Sequence, residues 1–377
     1  MAIPEPNLLT LREQIDALDQ AIIGLLAQRM KVVEHVALAK LDSASPLRDQ
    51  TREDLVLQRL RGHAVAQALD PMAIERIYRA VMDMSVAHQE STIRALPDVP
   101  MRVVYQGVEG AYSHLAASRR YAARRGGAQL TGHGSFREAA SAVVRGAADV
   151  ALLPIENSTA GSINETYDLL GELPLVITGE SISKIEHCLL GFEGATIDEL
   201  RVVYSHPQAL AQCQAFLAQH PHIRAEPMFD TAGAAQHVRS LGDRTSAAIA
   251  SEAAAARWGL QILQHAIQTE AGNATRFVEV SRNAVAVPLD ASAKTSLIIE
   301  LTDKPGALGP VLIAFARRGI SLTKLESRPV PARPWHYRFY LDALVHAHAE
   351  AWTSLCAELT SDDVTIKLLG CYVAQPG

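Results

Sequence analysis

The chain lacks several features that would settle its class at once. No stretch approaches the roughly eighteen uninterrupted apolar residues of a membrane span, and the N-terminal MAIPEPNLLTLREQ has no charged region followed by an apolar one. Neither a membrane helix nor a signal peptide is therefore expected. The four cysteines (Cys188, Cys213, Cys356 and Cys371) are scattered, with no CxxC. That spacing speaks against a disulfide framework and points to free thiols in a reducing, cytoplasmic compartment. HExxH is missing, and His187 and Cys188 are only neighbours, so no metal site is expected. The net charge of −6 comes without a compensating Lys/Arg run. This argues against a nucleic-acid surface but leaves room for a local cationic pocket that holds a small anion.

What is present is an ordinary globular composition, 48% hydrophobic and 20% charged, over 377 residues. That length is too great for one compact core and predicts two or three domains. From Asn7 to about Lys40, Leu11, Ile15, Leu18, Ile22, Leu25, Val32 and Val36 repeat in threes and fours. The spacing predicts a helix on the order of 50 Å at ~1.5 Å per residue. A helix so long needs a long partner, most simply its own copy in a dimer. Further helices are expected at 48–68 and, opened by Asp70-Pro71, to about Gln89. After the Leu96–Pro100 linker, short β-type runs (102–106, 148–153, 175–179, 201–204) alternate with helical stretches such as 113–125 and 207–219. Such alternation predicts an α/β domain with largely parallel sheets. Beyond the linker at 283–293, strand, helix, strand, strand, helix and strand follow in the order of a ferredoxin-like unit.

Arg29 falls on the apolar seam of the first helix, where an unpartnered guanidinium is costly. Either an ion pair or an anionic ligand must compensate it. Lys40, eleven residues on, lies within about 20° of the same face, whereas Arg12, seventeen residues before, is about 100° away. If Arg12 serves the same kind of site, it reaches across from a partner chain. On the second helix Asp49, Arg52 and Glu53 are neighbours by spacing, as are Ser85 and Gln89 on the third. Each alone reads as well as a solvated face.

The segment LLTLREQIDALDQAIIGLLAQRM…ALAK…PLRDQTRE…SVAHQ resembles the chorismate mutase domain of the bacterial bifunctional chorismate mutase–prephenate dehydratases (P-proteins). The resemblance implies that Arg12 of one chain and Arg29 of the other hold the carboxylates of chorismate, assisted by Arg52 and Ser85 with Asp49 nearby. It also implies that Lys40 and Gln89 donate to the ether oxygen and that Glu53 accepts from the ring hydroxyl. A pericyclic shift needs no nucleophile, only a compact dianion and stabilisation of the charge growing on the breaking C–O bond.

In the α/β region, Gln106–His114 follows a strand and opens a helix with glycines spaced GxxG, which is not a dinucleotide fingerprint. Backbone N–H groups presented there to a carboxylate, or a plain turn, are the two readings. Pro154–Gly161 crowds polar groups at a strand's C-terminal end, where open α/β sheets bind ligands. Asn273–Phe277 sets a hydroxyl beside a cation. GxxGxYSH, PIENS, YSHPQ and TRF together resemble the prephenate dehydratase domain, two lobes around a cleft similar to periplasmic binding proteins. By that resemblance Thr275 is the central catalytic group and Arg276 holds a carboxylate of prephenate. Ser113, Glu156, Asn157, Ser158, Ser205, His206, Gln212 and Phe277 line the cleft. The departing hydroxide needs a proton donor. Glu156 or His206 suits that task better than the Thr275 hydroxyl, which could relay or position.

The turn at 303–310 and the segment Leu325–Pro329 resemble the two ligand motifs of the ACT regulatory domain. They imply that Gly306, Ala307, Leu308 and Gly309, with Glu326, Ser327, Arg328 and Pro329, bind phenylalanine at a dimer interface. Domains at 1–96, 101–283 and 294–377 follow, with no redox cofactor and no metal. Two other readings stay open: an arogenate or broad cyclohexadienyl dehydratase, and a non-catalytic amino-acid sensor. The chain departs from the family pattern at Met30-Lys31 and Ala253–Ala256, outside the expected sites.

Overall fold

The computed structural model describes residues 7–42, 47–95, 99–124, 126–288, 291–302, 304–330, 336–360 and 364–375. Linker residues 96–98 and 289–290 and turn residue 303 lie outside the described residues. The chain forms two compact units, Met1–Val99 and Pro100–Gly377.

The first unit is three helices: α1 (Leu8–Asp42), α2 (Gln50–Ala66) and α3 (Pro71–Ala95). Asp49 caps α2, its carboxylate accepting from the Arg52 N–H at 2.9 Å, and Asp70 accepts from the Met72 N–H at 3.0 Å. These bonds meet N–H groups that the first turn leaves unpaired. α3 packs against both other helices. The buried interior is thin, drawn from Val33, Ala37, Leu57, Ala64 and Met82. Along α1 the apolar stripe stands in the open, with Ile15, Leu18, Ile22, Leu25 and Val32 each more than half exposed. Full burial of each such side chain is worth about 1.5–3 kcal/mol.

The second unit begins with β1 (Met101–Gln106), α4 (Tyr112–Tyr121), β2 (Ala128–His133), α5 (Phe136–Val144), β3 (Val150–Asn157), β4 (Gly161–Ser162), α6 (Asn164–Glu172) and β5 (Val176–Lys184). A second lobe follows: β6 (Cys188–Gly191), β7 (Val202–Ser205), α7 (Pro207–Gln212), α8 (Gln214–Gln219), β8 (Arg224–Pro227), α9 (Thr231–Leu241), β9 (Ser246–Ala250), α10 (Glu252–Trp258) and β10 (Gln261–Gln264). The chain returns to the first lobe as β11 (Ala274–Ser281). It ends in β12 (Ala293–Leu301), α11 (Leu308–Arg317), β13 (Leu322–Pro329), β14 (Tyr337–Ala343), α12 (Glu350–Leu359) and β15 (Val364–Val373), the βαββαβ order expected.

The strand orders are β2-β1-β3-β11-β5 with β4 on β3, then β10-β6-β9-β7-β8, then β13-β14-β12-β15. The lobe sheets are mixed rather than largely parallel. β1 runs parallel to β2 and β3, but β11 comes back from the second lobe and is antiparallel to both β3 and β5. The helix expected over 207–219 is broken at Cys213, whose backbone leaves the helical region (φ −102°, ψ 19°).

β12 is apolar on consecutive positions because both of its faces are covered. Leu297 and Ile299 pack under α11 and α12 with Phe315, Trp352 and Leu355. Ile298 turns the other way and, with Tyr340, Leu369 and Tyr372, packs on Ile177, Val278 and Val280 of the first lobe. Gly370, at φ +156°, lets β15 press against β5, since a Cβ there would run into the Ile177 carbonyl.

Candidate active site

In the helical unit α1 and α3 bring three expected residues together. The Arg29 guanidinium donates to the Ser85 hydroxyl, which itself donates to the Val81 carbonyl at 2.6 Å. Gln89, one turn on, donates to the Ser85 carbonyl at 3.3 Å, and its side-chain oxygen is buried with no partner. Lys40 donates to the Leu47 carbonyl at 2.7 Å. Glu53 is half-buried with its carboxylate 3.6 Å from Arg48. Asp49 is occupied as a helix cap and Arg52 is exposed. Arg12 is exposed on α1, about 26 Å along the helix from Arg29 at ~1.5 Å per residue. One protomer does not bring the two together.

Between the lobes of the second unit lies a cleft of about 370 Å³. Its floor is where β11 meets β3, with Thr275 paired across the ladder to Asn157. The Asn157 amide donates to the Thr275 hydroxyl at 3.0 Å and to Asn273 Oδ1 at 2.8 Å. Its oxygen accepts from Thr159, Ala160 and the Gln212 amide. Gln212 Oε1 faces His187 Nε2 at 2.8 Å, and the Tyr112 hydroxyl lies 2.8 Å from His187 Nδ1. Because the Gln212 amide nitrogen is committed to Asn157 and Thr159, its oxygen must accept, so the proton of the imidazole sits on Nε2. Burial pushes the His187 pKa down, which keeps that ring neutral near pH 7. The chain Tyr112–His187–Gln212–Asn157–Thr275 thus crosses the cleft from one lobe to the other and back.

Helix N-termini surround this floor. Ser113 on α4, Ser135 capping α5 and Thr231 on α9 all line the cleft, and among its described lining residues there is no lysine or arginine. Ser113 is buried, 7% exposed. Asp230 caps α9 and also accepts from the Val108 N–H of the opposite lobe at 3.0 Å, clasping the lobes. Gly107 (φ +105°) makes that approach possible, since a Cβ would stand 2.9 Å from the carboxylate. Burial raises the Asp230 pKa. His206 caps α7 by accepting the Gln208 N–H at Nδ1, and burial lowers its pKa.

Of the expected cleft residues, Ser113, Asn157, His206, Gln212, Thr275 and Phe277 line it. Four do not. Successive strand residues face opposite ways, so Glu156 and Arg276 lie beneath the floor, facing the C-terminal sheet. There Arg276 pairs with Glu180 at 2.8 Å and Asp342 at 2.6 Å, while Glu156 pairs with Lys324 at 2.7 Å. Ser205 is fully buried and donates to the Ile249 carbonyl, while Ser158 ties the β3 turn to Gly272 and Ala274. Tyr112, His187, Ser135, Asp230 and Thr231 were missed. Tyr112 sat inside the GxxGxYSH run, and His187 lies just past a strand end, the one signal that could have marked it.

At the C-terminal module a cavity of about 240 Å³ is lined by Gly306–Gly309 together with His336, Tyr337 and Phe339. The expected Glu326 and Arg328 face the other way. Glu326 accepts from the Ser162 hydroxyl at 2.6 Å, and Arg328 donates to Asp168 at 2.7 Å. Ser327 and Pro329 alternate with them and are exposed.

The chain matches the prephenate dehydratase family over residues 103–285, chorismate mutase type II over 11–90 and the ACT domain over 295–351. An orthodox combination of helical, two-lobed and ferredoxin-like parts thus defines a multidomain enzyme with a regulatory module. The bifunctional chorismate mutase/prephenate dehydratase of Enterobacter agglomerans is 36% identical over 99% of this chain and 97% of its own length. This chain belongs to the bifunctional chorismate mutase/prephenate dehydratase family. Among solved structures, the prephenate dehydratase of Arthrobacter aurescens in complex with L-Phe is similar (29% identity, TM-score 0.66), covering 73% of this chain and 92% of that one. GqqA, described as a novel type of quorum-quenching acylase, is also similar (34%, TM-score 0.65), covering 73% and 98%. No described helix is long and apolar enough to cross a membrane.

Proposed function

We propose that the helical unit rearranges chorismate to prephenate, that the two-lobed cleft converts prephenate to phenylpyruvate, and that phenylalanine binds the C-terminal module and lowers the second activity. The domains run 1–96, 101–283 and 294–377. The observation that carries the reading is the Thr275 hydroxyl, fixed by Asn157 on the floor of a cleft ringed by helix N-termini and free of cations. In that setting N–H dipoles and the Ser113 hydroxyl hold the carboxylates. The ring C–O bond breaks as the hydroxyl takes a proton and leaves as water. The C–C bond to the ring carboxylate breaks in the same step, its electron pair completing the aromatic ring as carbon dioxide departs. Glu156 is on the wrong face to supply the proton. His206, with Nδ1 accepting from Gln208 and burial lowering its pKa, is neutral. Its Nε2–H and the Thr275 hydroxyl therefore hydrogen-bond the departing hydroxyl and position it, and the proton comes from solvent.

In the helical unit Arg29 and Ser85 hold a carboxylate, while Lys40 and Gln89 meet the charge growing on the ether oxygen. The open stripe on α1 supports a homodimer, in which the partner's copy of α1 covers the apolar face and Arg12 completes the opposite site. Four free cysteines support a reducing cytoplasmic compartment. Incubating the purified chain with chorismate tests all of this together. Phenylpyruvate formed and suppressed by phenylalanine is the expected result. Prephenate accumulating unchanged would refute the cleft assignment, and untouched chorismate with prephenate consumed would refute the helical one.

A further inference from the structure

Beneath the cleft floor two cross-strand pairs sit side by side on opposite faces of the same ladder. Thr275 opposes Asn157 on the cleft face, and the next rung sets Arg276 opposite Glu156 on the face toward the C-terminal sheet. Arg276 is nearly enclosed, its side chain 12% exposed. It donates to Glu180 on β5 at 2.8 Å, lies 2.6 Å from Asp342 on β14, and donates to the Tyr372 hydroxyl on β15 at 3.1 Å. Lys294 on β12 closes the cluster with two bonds to Glu180, at 2.7 and 2.9 Å. Burial works against the Glu180 charge, yet Lys294 and Arg276 together hold its carboxyl below the usual range. Ser296 donates to Asp342 at 2.5 Å and shares a bond with Tyr372 at 2.8 Å. Every charge in the cluster has a partner of opposite sign, which is the condition for burying it.

β14 connects this cluster to the effector cavity. Its residues alternate, so Tyr337 and Phe339 line the cavity while Asp342, three residues beyond Phe339, faces Arg276. A shift of that strand moves both ends.

We infer that Arg276 is a positioning residue of the dehydratase reaction, held by the C-terminal sheet rather than by substrate, and that it links β14 to the Thr275–Asn157 pair. This rests on the proposed dehydratase activity of the cleft. A substrate ligand and a positioning residue separate kinetically. Loss of uniform substrate binding raises KM, whereas misplacing a group that acts on the leaving hydroxyl lowers kcat.

The experiment compares Asp342→Asn, Tyr372→Phe, Arg276→Lys and Arg276→Gln with the unaltered full chain. It measures kcat and KM for prephenate and the phenylalanine concentration for half inhibition, with near-UV circular dichroism to confirm folding. Tyr372→Phe removes one hydroxyl and guards against a variant that does not fold. Expected are a kcat about tenfold lower in Asp342→Asn, a smaller fall in Tyr372→Phe and KM within about twofold in both. The half-inhibitory phenylalanine concentration shifts by about tenfold, and Arg276→Lys recovers part of kcat relative to Arg276→Gln. Unchanged kcat and phenylalanine response in folded Asp342→Asn and Tyr372→Phe would overturn the inference. So would an Arg276→Lys variant whose only defect is a raised KM. An unaltered chain that makes no phenylpyruvate would instead refute the cleft's activity. If that chain makes phenylpyruvate without a phenylalanine response, the kcat changes still decide the matter.

Discussion

Asn157→Ala removes the side chain on which the cleft floor converges. The amide donates to Asn273 Oδ1, the Ala274 carbonyl and the Thr275 hydroxyl, and its oxygen accepts from Thr159, Ala160 and Gln212. Some partners keep another bond: Gln212 retains the Thr159 hydroxyl and the Ala274 carbonyl retains the Ser158 N–H. The Ala160 N–H and Asn273 Oδ1 lose their best partner. A buried polar group left unmet costs about 1–3 kcal/mol, and water entering through the cleft recovers part of it. The substitution should therefore cost about 3 kcal/mol. At roughly 2–4 °C per kcal/mol for a unit of this size, the melting of the second unit falls by about 6–12 °C. Thr275 loses its orientation, so kcat for prephenate should fall about 100-fold, the scale of a lost catalytic hydrogen bond. Thermal melts by near-UV circular dichroism and a prephenate assay well below the lowered melting point read the two effects separately. A folded Asn157→Ala protein with kcat within threefold of the parent would sink the argument that Asn157 aims Thr275.

Arg29→Ala should reduce mutase turnover by about 100–1,000-fold through loss of a fixed carboxylate partner, with dehydratase activity on supplied prephenate unchanged, as parallel assays would show. Leu18→Glu combined with Ile22→Glu places charges on the open stripe of α1. Light scattering should show a monomer, and mutase activity should vanish because Arg12 no longer reaches a partner's site. The His187 and His206 imidazoles have pKa values below the ordinary 6.5. Above that value folded and unfolded rings are both neutral and contribute no pH dependence. As pH falls through it, the unfolded rings bind protons first, so stability declines until the buried rings are themselves protonated. Urea midpoints at pH 7.5 and 5.5 should show the drop, and His187→Gln should make it smaller. A His187→Gln protein with the same pH difference would remove His187 as its source.

Period and composition made the three-part architecture legible, because Leu11 to Val36, the alternating β and α runs and the final βαββαβ order follow from side-chain periodicity alone. Strand direction did not follow, since β11 pairs with strands far earlier in the chain and nothing local encodes which way it enters. In the same way the sequence motifs do not disclose which face of a strand each residue takes. Glu156-Asn157 and Thr275-Arg276 are adjacent in sequence, and only the register of β3 against β11 decides which member looks into the cleft. Glu326 and Ser327 divide on β13 for the same reason. His187 and Tyr112 were hidden because their roles come from partners dozens of residues away, and Arg29 was legible because a cation interrupting an apolar stripe is a local anomaly.

The two proposed sites differ in how they would hold anions. On that reading the helical unit sets full charges, Arg29 and Lys40, beside its substrate, whereas the cleft relies on oriented dipoles at helix ends. Dissolved ions screen full charges over a Debye length of about 8 Å at physiological ionic strength, and they act far less on dipoles enclosed between lobes. Rising salt would therefore slow the first step of the sequence while sparing the second. A cell that concentrates ions under osmotic stress would find the supply of prephenate, rather than its consumption, setting the pace through this protein.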